Sequence, residues 1–206
     1  MTDTMAHMLP RMSDIAIETS RLILRPLALG DAEAYAGAAS DARIGAVMSH
    51  IPTPCPAELV ELWAAKVPEQ IAAGTDYRLV VTSKEDGAVV GATNLGGMVE
   101  LGVSGRQYEF SYWVDPAQWG KGLATECAEG VRDWAFETLK AGGLRAACAM
   151  ENAASARVLE KAGFHFMNAS TSKATDTEAG KLLNTFRMDK PRWETITKHS
   201  GLRKAS

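Results

Sequence analysis

The sequence is poor in cysteine, has no long apolar run and carries no excess of positive charge. Its three cysteines, Cys55, Cys127 and Cys148, are scattered and have no histidine nearby, which argues against a disulfide framework or a zinc site and predicts a reducing compartment. No stretch is apolar for long enough to be a secretion signal or to span a bilayer, so we expect a cytoplasmic protein without a membrane partner. The formal net charge of −3 gives no indication of a basic surface that would bind nucleic acid.

Internal repeats, low-complexity segments and linkers rich in Pro, Gly or Ser are also missing, and this bounds the domain organisation. A chain of 206 residues can bury one substantial core but not two. We therefore expect one domain over residues 15–193, between a flexible N-terminal segment 1–14 and a flexible basic tail 194–206. The sequence is compatible with a homodimer.

Hydrophobic periodicity switches between strand and helix along the chain. Period-two patterns and turn residues predict strands at Arg21–Pro26, Tyr77–Ser83, Ala88–Gly96, Gln107–Val114, Leu144–Met150, Phe164–Ala169 and Leu182–Lys190. A period of about 3.6 and capping residues predict helices after Asp31, between Leu59 and Gly74, from Leu123 to about Lys140 and between Asn152 and Gly163. Strands before, between and after helices predict an α+β fold, in which helices pack on the faces of a mixed sheet.

A turn with two glycines, "QWGKGLATE", stands at the start of the helix predicted from Leu123. It does not fit a Walker-type phosphate loop, because Asp115 stands at the first glycine position and Gly122 at the hydroxyl position. It does not fit a dinucleotide fingerprint either, because Thr125 replaces the third glycine. What remains is a strand, a tight turn and a helix N-terminus, which suits either a bound anion or an ordinary structural turn.

Two longer motifs bear on this choice. "YEFSYWVDPAQWGKGLATECAEGVRDWAF", followed by "ENAASARVLEKAGF", resembles the GCN5-related N-acetyltransferase (GNAT) superfamily. More narrowly, it resembles the ribosomal-protein N-terminal acetyltransferase (RimJ/RimL-type) branch, as does the opening "IETSRLILRPLALGDAEAY". The resemblance extends from Ile17 to about Trp193. It implies a mostly antiparallel seven-stranded sheet flanked by about four helices.

The resemblance also implies a reaction and a set of binding residues. An acetyl group would move from acetyl-coenzyme A (acetyl-CoA) to a primary amine by direct attack in a ternary complex, without a metal. Asn152 would contact the coenzyme near the pantetheine, although an N-cap asparagine needs no further role. Backbone groups of Tyr112, Trp113 and Val114 would pair with the pantetheine arm; otherwise Tyr112 and Trp113 are ordinary core and rim aromatics. The pyrophosphate would be bound by the backbone N–H groups of Trp119, Gly120, Lys121, Gly122, Leu123, Ala124 and Thr125, with Lys121 either adding a charge or staying solvated.

Catalysis needs a base, because an acceptor amine is protonated at neutral pH and must lose a proton before it attacks a thioester. The resemblance assigns this role to Glu109, acting directly or through water; otherwise Glu109 is a solvated strand glutamate. Many superfamily members have a tyrosine general acid where this chain has Leu159, so Ser155, beside the thioester sulfur, or water would protonate the leaving thiolate. The missing tyrosine motivates an alternative, a catalytically silent acyl-CoA sensor. A nucleotide-binding protein that uses the glycine turn is a second alternative.

The acceptor is the part of the reaction about which the sequence says least. A protein N-terminus, an internal lysine and a small amine all remain open. We expect the acceptor site to be built by Gly37–Ile71 and by the polar insertion Thr171–Lys181. Cys127 and Cys148 lie on apolar faces and are expected to be packing residues rather than acyl carriers. The two remaining candidates, His50 and His165, are expected to be packed or exposed.

Overall fold

The structure, a computed structural model, describes residues 9–98, 105–171 and 182–204. The described strands are β1 (Ile17–Glu18), β2 (Leu22–Pro26), β3 (Asp76–Ser83), β4 (Val89–Met98), β5 (Gln107–Val114), β6 (Gly143–Ala149), β7 (His165–Thr171) and β8 (Leu182–Asp189). The described α-helices are α1 (Ala32–Ala39), α2 (Ala42–Gly45), α3 (Ala57–Ala73), α4 (Leu123–Glu137), α5 (Ala153–Lys161) and α6 (Lys190–Lys204). Each strand and helix predicted from periodicity is present, with bounds that differ by a few residues.

The described strands form one sheet in the order β1-β2-β3-β4-β5-β6-β8-β7. Every neighbouring pair is antiparallel except β5 and β6, which run parallel. The expected mixed, mostly antiparallel α+β fold is therefore confirmed. Within the described residues the sheet has eight strands rather than seven, because Ile17 and Glu18 pair with β2 as a short edge strand. The short α2 and the C-terminal α6 bring the described α-helices to six rather than about four.

The two faces of the sheet carry different helices, because successive side chains of a strand point to opposite faces. On one face Tyr77 of β3 packs edge-on against Trp134 of α4, with ring centroids 5.3 Å apart. On the other face Trp113 of β5 packs edge-on against Tyr35 of α1 at 5.1 Å, and its indole N–H donates to the Tyr35 hydroxyl at 3.2 Å. Helices therefore pack on both faces of the sheet.

The C-terminal segment continues as α6 to Lys204, where the sequence predicts a flexible tail. Trp193 stacks on Phe136 at 5.2 Å, and its indole N–H donates to Asp133 Oδ1 at 2.8 Å. Ile196 also packs against the core. These contacts offset the entropy of ordering the helix, and the sequence pattern missed them because its apolar residues are too few for a clear stripe. Like the other helices of the described segments, α6 is not long and apolar enough to cross a membrane.

Candidate active site

The glycine turn leads directly into the N-terminus of α4. Gly120 and Gly122 have φ angles of 77° and 79°, and Gly122 is the N-cap residue of the helix. These angles lie in the left-handed region, where an L side chain is strained, so the backbone conformation itself requires glycine. A Cβ on Gly120 would meet no heavy atom within 4 Å. The turn therefore faces open space rather than packed protein.

The first amides of α4 point into this space. The first backbone hydrogen bond of the helix runs from the Glu126 N–H to the Gly122 carbonyl, at 3.1 Å. The amides of Leu123, Ala124 and Thr125 precede this bond and so have no acceptor within the helix. They also lie at the positive end of the dipole of a 15-residue helix. This end of α4 is suited to a phosphate-type anion, in agreement with the prediction for the turn.

Glu126 ties the turn to the start of β2. Its carboxylate accepts hydrogen bonds from Thr19 Oγ1 at 2.6 Å and from the backbone N and the Nε of Arg21, both at 2.7 Å. Arg21 Nη1 in turn donates to the Lys121 carbonyl at 2.9 Å. Burial raises the pKa of Glu126, but the hydrogen bonds from Thr19 and Arg21 outweigh it and hold the pKa below its ordinary value. Sequence reasoning missed Arg21, because it lies 105 positions from Glu126.

Two side chains of the turn form hydrogen bonds to nearby residues of the chain. The Trp119 indole N–H donates to the Val114 carbonyl at 2.7 Å, and the Arg43 guanidinium lies 5.4 Å from the Trp119 ring centroid. Lys121 Nζ donates to Gln118 Oε1 at 2.8 Å. These contacts fix the shape of the turn and leave anion binding to its backbone amides.

Strands β5 and β6 separate beyond Glu109. Their parallel pairing joins Gln107–Glu109 to Gly143–Arg145 and then stops, whereas β6 stays paired with β8 as far as Ala149. From Phe110 onwards, β5 therefore presents an open edge to a gap within the sheet. Such an edge can pair with the amides of an extended chain, as in β-augmentation.

One hydrogen bond establishes which backbone groups of β5 face this gap. The Asp115 N–H donates to the Val90 carbonyl at 2.9 Å. Because hydrogen-bonded and non-hydrogen-bonded pairs alternate along an antiparallel ladder, Trp113 directs its N–H and C=O to β4, whereas Tyr112 and Val114 direct theirs to the gap. The Val114 carbonyl already accepts from Trp119. Of the predicted pantetheine-binding groups, those that face the gap unpaired are both groups of Tyr112 and the N–H of Val114.

The side chain of Tyr112 joins this gap to α5. Its hydroxyl and Ser155 Oγ are hydrogen-bonded at 2.9 Å. Asn152 caps α5 by accepting the Ser155 N–H on Oδ1 at 3.0 Å, as its N-cap position predicts. Burial raises the pKa of Tyr112 to about 12, against the opposing effect of the Ser155 hydrogen bond, so the phenol is protonated at neutral pH. Sequence reasoning considered only the backbone of Tyr112 for the site and missed this hydroxyl.

Glu109 is the last residue of β5 that pairs with β6, and it is exposed. Its register neighbours are Gly96 of β4 and Arg145 of β6. Because side chains alternate, Glu109 projects from the same face as Ser111, whereas Tyr112 projects from the opposite face. The carboxylate and the Tyr112 hydroxyl therefore stand on opposite faces of the sheet, beside the same gap.

A cavity of about 370 Å³ lies on the Glu109 face of the sheet, and its lining comprises Met48, His50, Trp63, Arg78, Ala92, Thr93, Asn94, Ser111, Tyr112 and Trp113. Three of these residues come from the segment 37–71, where the acceptor site was expected. The other expected segment, Thr171–Lys181, lies outside the described residues except for Thr171. Sequence reasoning missed Arg78 and Asn94, which belong to no motif. Their polar side chains within the otherwise apolar strands β3 and β4 are the signal that could have identified them.

The cysteines give this site no nucleophile. Cys55, Cys127 and Cys148 are free and buried. Burial raises the pKa of Cys127 to about 12, so its thiol stays protonated, in agreement with the expected packing role. His165 lies on β7 and is not part of the cavity lining, whereas His50 is.

Comparison with known proteins agrees with this geometry. Residues 21–165 match the family model described as an acetyltransferase (GNAT) domain. The chain is 34% identical over 98 residues to the probable N-acetyltransferase YjcK of Bacillus subtilis (strain 168), a match that spans 47% of this chain and 52% of that protein, about half its length. The fold is similar to that of the ribosomal-protein-S5-alanine acetyltransferase from Vibrio fischeri, with a TM-score of 0.74, 16% identity and coverage of 85% of this chain and 97% of that chain.

A second solved structure, Mycobacterium smegmatis RimJ in complex with CoA-disulfide, has a TM-score of 0.71 and 19% identity, with coverage of 82% of this chain and 81% of that chain. At these identities the solved structures establish the fold alone. The family model covers most of the chain, and the protein therefore belongs to the GNAT acetyltransferase family.

Proposed function

We propose that this acetyltransferase moves the acetyl group of acetyl-CoA to a primary amine, a protein N-terminus or a small amine, by direct attack within a ternary complex. Membership of the GNAT family supports acetyl-CoA as the donor. The described residues also fit a CoA-type co-substrate. The amides of Leu123, Ala124 and Thr125 are donors for a pyrophosphate, and the open edge at Tyr112 offers pairing groups to the amides of an extended arm. The coenzyme supplies the activated thioester, and the protein supplies orientation and proton transfer.

Glu109 is the proposed base. It takes the proton that the ammonium loses before attack and passes it to solvent, and it then takes the second proton of the nitrogen as the new N–C bond forms, either directly or through one water. Its exposed position at the apex of the gap lets it reach an amine that approaches from the cavity face. The amine thus enters from the side of the sheet on which the carboxylate stands.

Ser155 and Tyr112 are the proposed proton donors for the leaving group. As the C–S bond breaks, Ser155 Oγ gives its proton to the thiolate and receives one from the Tyr112 hydroxyl, 2.9 Å away. Solvent returns a proton to Tyr112, so of the two protons that leave the nitrogen one is matched by the proton placed on sulfur and the other is released to solvent. A neutral phenol with a pKa of about 12 is a weak acid, and its contribution is modest because a thiolate needs little help to leave.

The observation that carries the proposal is the gap that opens after Glu109, with the carboxylate on one face of the sheet and the hydroxyl pair on the other. The sensor alternative depended on Leu159 standing where a general acid is expected. Leu159 is 1% exposed and belongs to the core, and the hydroxyl pair on β5 and α5 takes its place in the proposed reaction.

Steady-state kinetics of CoA release tests the proposal, using acetyl-CoA with a panel of primary amines and N-terminal peptides. A ternary complex predicts intersecting double-reciprocal lines. Glu109→Gln should lower kcat/KM for the amine by roughly 10²- to 10⁴-fold and leave the KM for acetyl-CoA nearly unchanged. Glu137→Gln, an exposed glutamate at the far end of α4, is the matched control and should behave as wild type. Parallel lines, full activity of Glu109→Gln, or no release with any amine would contradict the proposal.

A further inference from the structure

The cavity beside Glu109 is lined by a half-buried arginine, Arg78, with one unused donor within the described chain. The side chain of Arg78 is 20% exposed, and within the described residues its Nε has no hydrogen-bond partner. The carboxylate of Asp76 lies 3.9 Å from Arg78 Nη2, which is beyond hydrogen-bond distance. Since buried donors are normally satisfied, this guanidinium indicates a ligand that accepts hydrogen bonds.

The surroundings of Arg78 orient it and add further polar groups. Its guanidinium carbon lies 4.9 Å from the Trp63 ring centroid, a cation–π contact that holds the plane of the group. Asn94 is the register neighbour of Arg78 on β4, and its buried Oδ1 lacks a partner within the described chain. His50 lines the same cavity, and burial followed by the Arg78 charge lowers its pKa, so it is neutral at neutral pH. The charge at this end of the cavity is therefore that of Arg78.

The next register row, at the closed end of the gap, carries two carboxylates, and Arg145 of β6 is the register neighbour of Glu109. Asp76, Gly96 and Glu109 are register neighbours on β3, β4 and β5. A Cβ on Gly96 would lie 3.9 Å from Asp76 Oδ1, so the space between the two carboxylates is free of any side chain from Gly96. Asp76 Oδ1 is also buried without a hydrogen-bond partner, as far as the described residues show. The backbone of this row lies about 7 Å along the strands from that of the Arg78 row. The Asp76 carboxylate reaches back to 3.9 Å from Arg78 Nη2, whereas Glu109 stands at the far side of Gly96.

We propose that the acceptor is a primary amine that also carries a carboxylate, that Arg78 binds this carboxylate, and that the ammonium group lies over Gly96 between Asp76 and Glu109. The inference rests on the proposed function and names its substrate class. The planar fork of a guanidinium matches the two oxygens of a carboxylate, and the acidic row places the ammonium beside the proposed base. A free amino acid and a peptide with an acidic residue near its N-terminus share this chemistry.

Two substrate series test the inference and separate these sources. The first comprises ω-amino acids of increasing chain length, each paired with its carboxamide. The second comprises N-terminal peptides that differ only in Asp or Asn at the second position. For at least one pair the wild-type protein should prefer the carboxylate by roughly 10- to 100-fold in kcat/KM, mainly through KM. Preference in the first series identifies a small amino acid, and preference in the second identifies an acidic peptide.

Arg78→Gln should abolish this preference, so that the ratio of kcat/KM for each carboxylate to kcat/KM for its carboxamide falls to about one. Arg78→Lys should keep part of the preference for carboxylates, since lysine retains the positive charge but not the planar fork of donors. Arg11→Gln, which removes an exposed arginine far from the cavity, is the matched control and should keep all of it.

Three outcomes would overturn the assignment of Arg78. These are equal use of carboxylates and carboxamides by the wild type, a preference that survives in Arg78→Gln, and an equal loss of both substrate types in that variant. Acetylation of neutral amines alone would leave the proposed function standing and refute only the substrate class. If no amine of any kind is acetylated, the proposed function itself fails.

Discussion

Replacing Glu126 with glutamine tests whether the glycine turn depends on its link to the start of β2. The variant keeps the shape of the side chain but turns one carboxylate oxygen into an NH₂ group, which then faces the donors of Thr19 or Arg21. The Glu126 side chain is 15% exposed and that of Arg21 is 50% exposed, so part of the interaction is screened by solvent. We therefore expect a loss of about 1–2 kcal/mol in the free energy of unfolding, below the value for a fully buried charged hydrogen bond. For a domain of this size the loss corresponds to a fall in Tm of roughly 2–8 °C.

The assay is thermal unfolding with and without acetyl-CoA, together with calorimetric titration of the coenzyme. Glu126→Gln should also bind acetyl-CoA several-fold more weakly, because Arg21 no longer holds the Lys121 carbonyl in place. Glu129→Gln, three residues further along α4, is the matched control. If Glu126→Gln unfolds and binds acetyl-CoA as Glu129→Gln does, the reasoning about this link is refuted.

The same carboxylate gives the stability a pH dependence of known sign. Burial alone would raise the pKa of Glu126 above 4.5, but the hydrogen bonds from Thr19 and Arg21 bring it below that value in the folded protein. The folded state then binds fewer protons than the unfolded state, so the contribution is present above pH 4.5 and is lost as the pH falls through the folded-state pKa. The Tm difference between wild type and Glu126→Gln should therefore shrink on acidification below that pH. A difference that stays constant or grows there would contradict the assignment.

The remaining predictions concern the coenzyme site. Gly122→Ala puts a side chain at a φ of 79° and should cost about 1–2 kcal/mol of stability and weaken acetyl-CoA binding. Gly87→Ala, at a φ of 73° in the turn between β3 and β4, should show the strain without the loss of binding. Equal affinities in the two variants would argue against the turn as a binding element. Tyr112→Phe removes the hydroxyl that bonds Ser155 and should lower kcat several-fold at unchanged KM for acetyl-CoA, and an unchanged kcat would remove Tyr112 from the proton path. Burial raises the pKa of Cys127 to about 12, so this thiol should resist maleimide in the folded protein at neutral pH. Labelling as fast as in denaturant would contradict its buried position.

The glycine turn and the start of α4 could be predicted because their determinants are local. Gly120, Gly122 and the first residues of α4 are contiguous, and the φ requirement, the free amides and the helix dipole all follow from one short stretch. The N-cap role of Asn152 is equally local, and its bond to the Ser155 N–H confirms it. In motifs of this kind a few contiguous residues determine the backbone geometry.

The part of the cavity that β3, β4 and β5 line could not be predicted, because strand register creates it. Arg78 and Asn94 become neighbours only when β3 and β4 pair, and Ser111 joins them only through β5. The bond between Tyr112 and Ser155 likewise joins residues 43 positions apart. Periodicity shows that a residue lies in a strand, but it does not show which residue of another strand stands beside it. The prediction of a flexible C-terminal tail was wrong for a related reason, since the packing of Trp193 on Phe136 depends on how distant helices meet.

The central claim is that the N-terminus of α4 binds the pyrophosphate of acetyl-CoA. Amide hydrogen–deuterium exchange of the full-length protein tests it most directly, with acetyl-CoA compared with S-acetylpantetheine, which has the arm and the thioester but no pyrophosphate. The account predicts that acetyl-CoA slows exchange over Trp119–Thr125 and that S-acetylpantetheine does not. Unchanged exchange of these amides with acetyl-CoA bound, or equal protection by both compounds, would contradict it.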